Sequence, residues 1–91
     1  MDINDLKIQS NQFAVGKGEF ATGAVLNNDG YYYKINDDLE NVFDIFEDFE
    51  SAKLFAIEKV SKNPDVECWI KNYKNETVFY YTKNGEEKLK K

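Results

Sequence analysis

Residues 51–73, which read SAKLFAIEKVSKNPDVECWIKNY, determine the architecture of this chain. The first half predicts a helix over about 51–62, because its apolar residues recur at helical spacing. The buried stripe of that helix comprises Ala52, Phe55, Ala56 and Val60. Ser51 is a suitable N-cap, and Pro64 ends the helix because proline disfavours helical geometry in the residue before it. Leu54 falls nearly opposite the stripe, so we expect it to be exposed or to be a contact point.

The second half of the stretch predicts a strand over about 66–73, in which successive side chains alternate between two faces. The inner face, packed against the helix, is assigned to Val66, Cys68 and Ile70. Trp69 and Tyr73 then point outward. Because the sequence offers one good helix, which covers one face of a small sheet, these outward aromatic side chains need a partner, a ligand or a cover from elsewhere in the chain.

Four more strands are predicted on either side of this stretch. They cover about 19–26, 31–36, 41–48 and 77–82. The Asn-Asn-Asp-Gly turn at 27–30 joins the first two as a hairpin, whereas Gly16, Lys17 and Gly18 are predicted to form a flexible turn. The predicted fold class is therefore α+β. It is an antiparallel meander sheet of about five strands, in the order β-β-β-α-β-β, with the helix of about 51–62 packed on one face.

Length and composition are those of one small domain. In a chain of 91 residues we expect a single α+β domain over 1–83 and a charged C-terminal tail over 84–91. No apolar run approaches the roughly 20 residues that span a bilayer. The acidic N-terminus has no signal-peptide pattern, so we expect a cytoplasmic protein that does not act at a membrane.

Missing residue types narrow the possible chemistry. The sequence contains no histidine and no arginine, and Cys68 is its one cysteine. Without histidine the commonest general base and metal ligand are absent. Cys68 lies in a predicted strand, where a small buried hydrophobic residue is expected. We therefore predict a non-enzymatic protein with no catalytic residues, no cofactor and no metal site.

A run of acidic residues without an intervening lysine precedes the helix. It comprises Asp37, Asp38, Glu40, Asp44, Glu47, Asp48 and Glu50. Strand alternation predicts that Phe43 and Ile45 point inward. It places Phe46 on the outer face beside Asp44 and Asp48, where acids mixed with an aromatic residue would suit a basic partner. The alternative is a solvated face that serves solubility.

These features favour a protein-binding module. Small size, a net charge of −5 and an uncovered aromatic face indicate an acidic inhibitor, an immunity-type protein, or a bacterial or phage antagonist that masks a basic protein. The predicted partner-binding residues are Trp69, Tyr73, Phe46, Asp44 and Asp48. The sequence leaves the identity of the partner open.

Two other functions stay open. A homodimer or assembly module would pack two aromatic sheet faces together, and a single-stranded nucleic-acid-binding module would stack bases on tyrosine and tryptophan. The stacking set would be Trp69, Tyr73 and Tyr32 with either Tyr80 or Phe79 and Tyr81. The net charge of −5 disfavours nucleic acid. A third interpretation makes the aromatic residues a second small core, covered by residues 1–15.

Overall fold

The computed structural model describes residues 7–34 and 38–89. Within these residues the chain forms six strands and one α-helix. They are β1 (Phe13–Glu19), β2 (Val25–Leu26), β3 (Asp44–Phe46), α1 (Phe49–Lys62), β4 (Val66–Lys71), β5 (Thr77–Thr82) and β6 (Gly85–Glu86). The predicted α+β class and the order β-β-β-α-β-β are confirmed. The short strand β6 is an addition, and it lies where a charged tail was predicted.

Strand β1 connects the two sides of the antiparallel sheet. Among the described residues the strand order is β2-β1-β4-β5-β6, and β3 lies off this path because it also pairs with β1. Strands β2 and β3 pair with the same edge of β1. Residues 13–15 of β1 pair with β3, and Lys17 and Gly18 pair with β2. The other edge pairs with β4 from Ala14 to Glu19. The chain therefore reaches from β3 to β4 through the helix, which packs across the sheet.

The helix begins two residues earlier than the sequence predicted. Its N-cap is Asp48 and not Ser51. The Asp48 carboxylate accepts a hydrogen bond from the Ser51 backbone N–H at 2.7 Å and another from the Ser51 hydroxyl at 3.0 Å. The prediction of a Ser51 cap was wrong because both residue types are good caps, and aspartate adds a negative charge that suits the helix dipole. The predicted end at Lys62 is confirmed.

The main core lies between α1 and one face of the sheet, called the helix face below. Its buried members are Val15, Ala52, Ala56, Val60, Val66, Cys68, Ile70 and Phe79. The predicted inner face of β4 is therefore confirmed, and so are three residues of the predicted helical stripe. Phe55 is half-buried and packs against the same cluster. Leu54 is 65% exposed, as its position opposite the stripe predicted.

The predicted facing of residues 43–46 is wrong. Phe46 lies on the helix face, where its ring centroid is 5.1 Å from that of Phe55. Ile45 pairs with Ala14 on the opposite face and is 38% exposed. Phe43 is buried in a separate cluster away from the helix. The error arose because β3 spans only three residues, so strand alternation does not extend back to Phe43.

The stretch predicted as a flexible turn, Gly16 to Gly18, forms the middle of strand β1. Lys17 points to the helix face, and the two glycines lie under the indole of Trp69 on the opposite face, called the second face below. A Cβ atom on Gly16 would lie 2.5 Å from two atoms of that indole. Glycine is needed here because the ring approaches the strand backbone closely, which is a recognised use of glycine within strands.

A small second core covers part of the second face. Its buried members are Ala14, Val42 and Phe43, with Ile8, Val25, Tyr33 and Leu39 packed against them. The cover therefore comes mainly from the segment after β2, and Ile8 is the contribution of the described N-terminal residues. Residues 1–6 of the predicted cover lie outside the described residues. The predicted aromatic set does not build this core, apart from the cover that Trp69 gives to β1.

The predicted strands at 19–26 and 31–36 are largely wrong. Strand β1 ends at Glu19, and the chain re-enters the sheet only at Val25 and Leu26. The predicted turn at 27–30 does form, because the backbone N–H of Gly30 donates to the carbonyl of Asn27 at 3.0 Å. After the turn, a single bridge pairs Leu26 with Tyr32. Residues 35 and 36 of the second predicted strand lie outside the described residues.

Candidate functional site

The structure places the five predicted partner-binding residues on different parts of the molecule. Trp69 is half-buried on the second face, whereas Phe46 packs on the helix face. Tyr73 lies in the turn between β4 and β5 and is 41% exposed. Asp44 and Asp48 flank Phe46 in sequence, at the edge strand β3 and at the start of α1. The five residues therefore do not share one surface.

Both predicted contact acids have partners inside the chain. Asp44 forms an ion pair of 2.6 Å with Lys17, whose side chain is only 3% exposed. The same ammonium group donates to the side-chain oxygen of Asn28 at 2.6 Å and to the carbonyl of Val42 at 3.2 Å. Asp48 caps the helix through Ser51. These two acids hold the segment after β2 and the helix start in place, so they are less available to a partner than the sequence indicated.

The predicted base-stacking set is also divided between the faces. Phe79 and Tyr81 stack on each other with centroids 5.9 Å apart and belong to the core of the helix face. Tyr32 lies near the end of β1, where its hydroxyl donates to Glu19 at 2.9 Å. Trp69 and Tyr80 are register partners on the second face. A continuous aromatic platform is therefore not assembled from the described members of this set.

The second face carries a shallow depression of about 530 Å³. It is lined by Glu67, Trp69, Lys71, Thr77, Tyr80 and Leu89. The Tyr80 hydroxyl donates a hydrogen bond to the buried carboxylate of Glu67. Burial, followed by this hydrogen bond and the charge of Glu67, raises the pKa of Tyr80 to about 12. The Tyr80 hydroxyl and the Glu67 carboxylate thus satisfy each other, and Trp69 and Lys71 are the other large side chains of β4 in the lining.

An acidic surface is found on the solvent side of the helix. Glu50, Leu54 and Glu58 follow one another at four-residue spacing, which places them along one exposed line of α1. We call these three residues the acidic helix surface. The Glu58 carboxylate accepts a hydrogen bond of 2.6 Å from Lys62, and this bond with the lysine charge lowers the pKa of Glu58. Leu54 is thus an exposed apolar side chain with one acid a turn before it and another a turn after it.

A cleft of about 380 Å³ lies at the C-terminal end of the helix. We call it the tyrosine cleft. Its lining includes Lys17, Glu19, Leu26, Asn27, Asn28, Gly30, Tyr31, Tyr32, Lys59, Asn63, Asp65 and Val66. Tyr31 is 72% exposed and Tyr32 is 57% exposed, which makes them the most exposed aromatic side chains among the described residues. The carboxylate of Glu19 raises the pKa of Tyr32, first through the hydrogen bond and then through its charge.

The sequence did not predict the tyrosine cleft. Tyr31 was assigned to a strand, and Lys17 to a turn. The cleft forms because the Asn27 side-chain oxygen accepts from the backbone N–H groups of Asp29 and Tyr31, both at 3.0 Å, which shapes the turn. The run of three tyrosines after a tight turn was the one available signal, since three consecutive bulky groups cannot all be buried by a strand with one covered face.

Metal, thiol and membrane features add little within the described residues. No group of three or more Cys, Asp and Glu side chains there is placed to hold a metal ion. Cys68 is fully buried, and burial raises the pKa of its thiol from 9.0 to about 11. No helix in residues 7–34 and 38–89 is long and apolar enough to cross a membrane.

Comparisons with protein families, with curated proteins and with solved structures found no match for this chain.

Proposed function

We propose that this protein is a non-enzymatic binding module that docks on a basic protein and masks it, as an inhibitor or immunity-type antagonist does. A bacterial or phage origin and a cytoplasmic site of action are part of the proposal. The observation that carries it is the acidic helix surface, where Leu54 is 65% exposed between Glu50 and Glu58. An exposed leucine with an acid on either side of it along the helix suits a partner with a complementary basic rim.

The distribution of charge along the sequence also supports a basic partner. Residues 35–52 hold seven acids and no lysine, although the net charge of the whole chain is only −5. Among these acids Asp44 is paired, Asp48 caps the helix and Glu47 accepts hydrogen bonds from Asn11 and Gln12, whereas the side chain of Glu50 is exposed in the first turn of the helix. Clustered charge of one sign steers an oppositely charged partner and raises its association rate. The proposal therefore moves the contact site from the predicted strand residues to the helix.

The residue types of the chain also support a binding role. The sequence contains no histidine, the commonest general base. Its one cysteine is buried with a raised pKa, which disfavours the thiolate that a nucleophile needs. Binding through an exposed helix requires none of these groups. The stacking and homodimer alternatives have less support, because the aromatic residues on which they depend are divided between the two faces.

The proposal is tested by site-specific crosslinking in the source cell. A photo-crosslinking residue is placed at position 54, and the matched control is placed at Asn84, an exposed residue in the turn between β5 and β6. We expect position 54 to capture a protein with a basic surface and position 84 to capture little. Capture from position 84 alone, or capture of an acidic protein, would contradict the proposal.

Charge reversal then tests the captured complex. The double substitution Glu50→Lys and Glu58→Lys should weaken binding roughly tenfold or more, and added salt should weaken binding of the unmodified protein. The control is Glu76→Lys with Glu86→Lys, which makes the same change of charge at two exposed residues away from the helix. An equal loss in both double variants would show that the location of the charge is irrelevant and would exclude the acidic helix surface as the contact.

A further inference from the structure

The aromatic rings of the tyrosine cleft belong to neither apolar core of the described residues. Tyr31 and Tyr32 leave 72% and 57% of their surface in water, although tyrosine normally buries much of its ring. The cleft volume of about 380 Å³ falls within the range of roughly 300–1,000 Å³ that is common for ligand sites. Leu26 and Val66 add apolar lining. The cleft therefore combines apolar lining with exposed aromatic rings, as binding sites do.

The charges around the cleft favour a positively charged guest. Lys17 is already neutralised by its 2.6 Å ion pair with Asp44. The remaining charged groups of the lining are the carboxylates of Glu19 and Asp65 and the ammonium of Lys59. Asn63, which follows the last residue of α1, also lines the cleft, and the C-terminal end of a helix carries partial negative charge. Negative groups thus outweigh the single unneutralised lysine of the lining.

Tyr32 and Glu19 are held together in a way that suits a planar cation. The tyrosine hydroxyl donates to one carboxylate oxygen of Glu19 at 2.9 Å, and Thr22 donates to the other at 2.8 Å. This fixes an aromatic ring beside a carboxylate. Lysine side chains already lie over aromatic rings elsewhere in the chain, at 4.9 Å between Lys83 and Phe20. A cation in the cleft would meet the same two attractions, to a ring face and to a carboxylate.

We propose that the tyrosine cleft accepts a basic side chain of the protein partner, and that this side chain is an arginine. The inference rests on the proposed function, because it assigns a second contact to the same basic partner. Arginine is favoured over lysine because its guanidinium is planar, stacks on aromatic faces and is more weakly hydrated than an ammonium.

The test uses small probes, so that it does not depend on the partner. The isotopically labelled protein is titrated with N-acetyl-arginine amide, and backbone amide shifts are followed by NMR. We expect saturable shifts at the amides of Tyr31, Tyr32, Asn63 and Asp65. N-acetyl-norleucine amide, which has a similar length and no charge, should produce none. Absence of saturable shifts with the arginine probe, or equal shifts with norleucine, would overturn the inference. Equal affinity for the lysine probe would overturn the assignment to arginine.

Substitutions in the cleft test whether the Tyr31 ring itself contributes to binding of the arginine probe. Tyr31→Ala should weaken the arginine probe about two- to fivefold, the amount that a cation–π contact at an exposed site supplies. Tyr73→Ala is the matched control, because Tyr73 is an exposed tyrosine in a different turn. Glu19→Gln should also weaken the probe and lower the raised pKa of Tyr32, which reports on the site directly. Equal probe affinity in Tyr31→Ala and the unmodified protein would contradict the proposal.

The two proposals fail separately. If the arginine probe does not bind while charge reversal at Glu50 and Glu58 still disrupts the partner complex, the cleft inference is wrong and the proposed function stands. If the probe binds while charge reversal has no effect, the acidic helix surface is not the contact, and the proposed function is the part that fails.

Discussion

The two faces of the sheet are closed by different means. On the helix face, α1 lays Ala52, Ala56 and Val60 onto the sheet and buries a continuous apolar core. On the second face, a smaller cluster covers the β2–β3 side of β1, and Trp69 covers the two glycines of the same strand. The helix face therefore depends on one continuous apolar core, whereas the second face depends on a smaller cluster and on the fit of the Trp69 ring over two glycines. The consequences of substitution should differ accordingly.

The largest expected effect is a cavity on the helix face. Ile70→Ala removes a fully buried side chain between α1 and the sheet and should lower the free energy of unfolding by about 2–5 kcal/mol. Ile45→Ala makes the same chemical change on the other face, at a residue that is 38% exposed, and should cost less than about 1 kcal/mol. Denaturant unfolding of both variants measures the difference. Similar losses in both would show that the two faces contribute equally.

The second prediction concerns Lys17, the buried lysine on the helix face that pairs with Asp44. Lys17→Met should cost about 2–3 kcal/mol, because it leaves Asp44, the Asn28 side chain and the Val42 carbonyl without their shared donor. The loss stays below that of a fully buried pair because Asp44 is 33% exposed. Lys62→Met breaks an ion pair of the same 2.6 Å length, but both of its side chains are mostly exposed and screened by water, so its cost should be much smaller than that of Lys17→Met. If chemical denaturation gives equal losses of unfolding free energy for the two variants, burial does not make the Lys17 ion pair more important than the Lys62 ion pair.

Gly16→Ala tests the second face. The added Cβ would lie 2.5 Å from the Trp69 indole, so the ring must shift, at a cost of about 1–3 kcal/mol. The partner variants are Trp69→Ala and the double variant. If the clash is the cause, Gly16→Ala should cost much less in the Trp69→Ala background, which a double-mutant cycle measures through unfolding free energies. An unchanged cost in that background would assign the effect to backbone flexibility and not to the ring.

How far the sequence predicts this molecule depends on the length of its regular elements. The helix and strands β4 and β5 repeat their patterns over several turns or alternations, so their positions were predicted well. The inner faces of the helix and of β4 were predicted too, whereas the sequence left open whether Tyr80 or the pair Phe79 and Tyr81 faces outward on β5. Strands β2 and β3 span two and three residues, too short for alternation to establish a face, and Phe46 was therefore placed on the wrong side. Gly16 and Gly18 resembled a turn because local preference alone cannot reveal that a ring from β4 occupies the space of their side chains.

The candidate site was predictable to a smaller degree. Leu54 was recognised as a possible contact from helical spacing alone, and it is exposed. Asp44 and Asp48 were chosen for their charge, but one pairs with a lysine 27 residues away in sequence and the other caps the helix. The tyrosine cleft joins residues from β1, the turn after β2 and the end of α1. Such a juxtaposition follows from strand order, which hydrophobic periodicity does not determine.

Raising the pH should have the smallest effect on the free energy of unfolding under ordinary conditions, because the groups concerned lose their protons only well above neutral pH. On the helix face burial raises the pKa of Cys68 to about 11, and on the second face burial with the nearby Glu67 raises the pKa of Tyr80 to about 12. The unfolded chain loses these protons near its ordinary values of 9.0 and 10.0, before the folded protein does. The stability that these two groups contribute is therefore fully present below about pH 9 and falls as pH rises towards 12.

Unfolding free energies measured against pH test this expectation. Tyr80→Phe should remove the part of the fall between pH 10 and pH 12, and Cys68→Ala should remove the part between pH 9 and pH 11. A fall that is unchanged in both variants would mean that neither face supplies the titrating group.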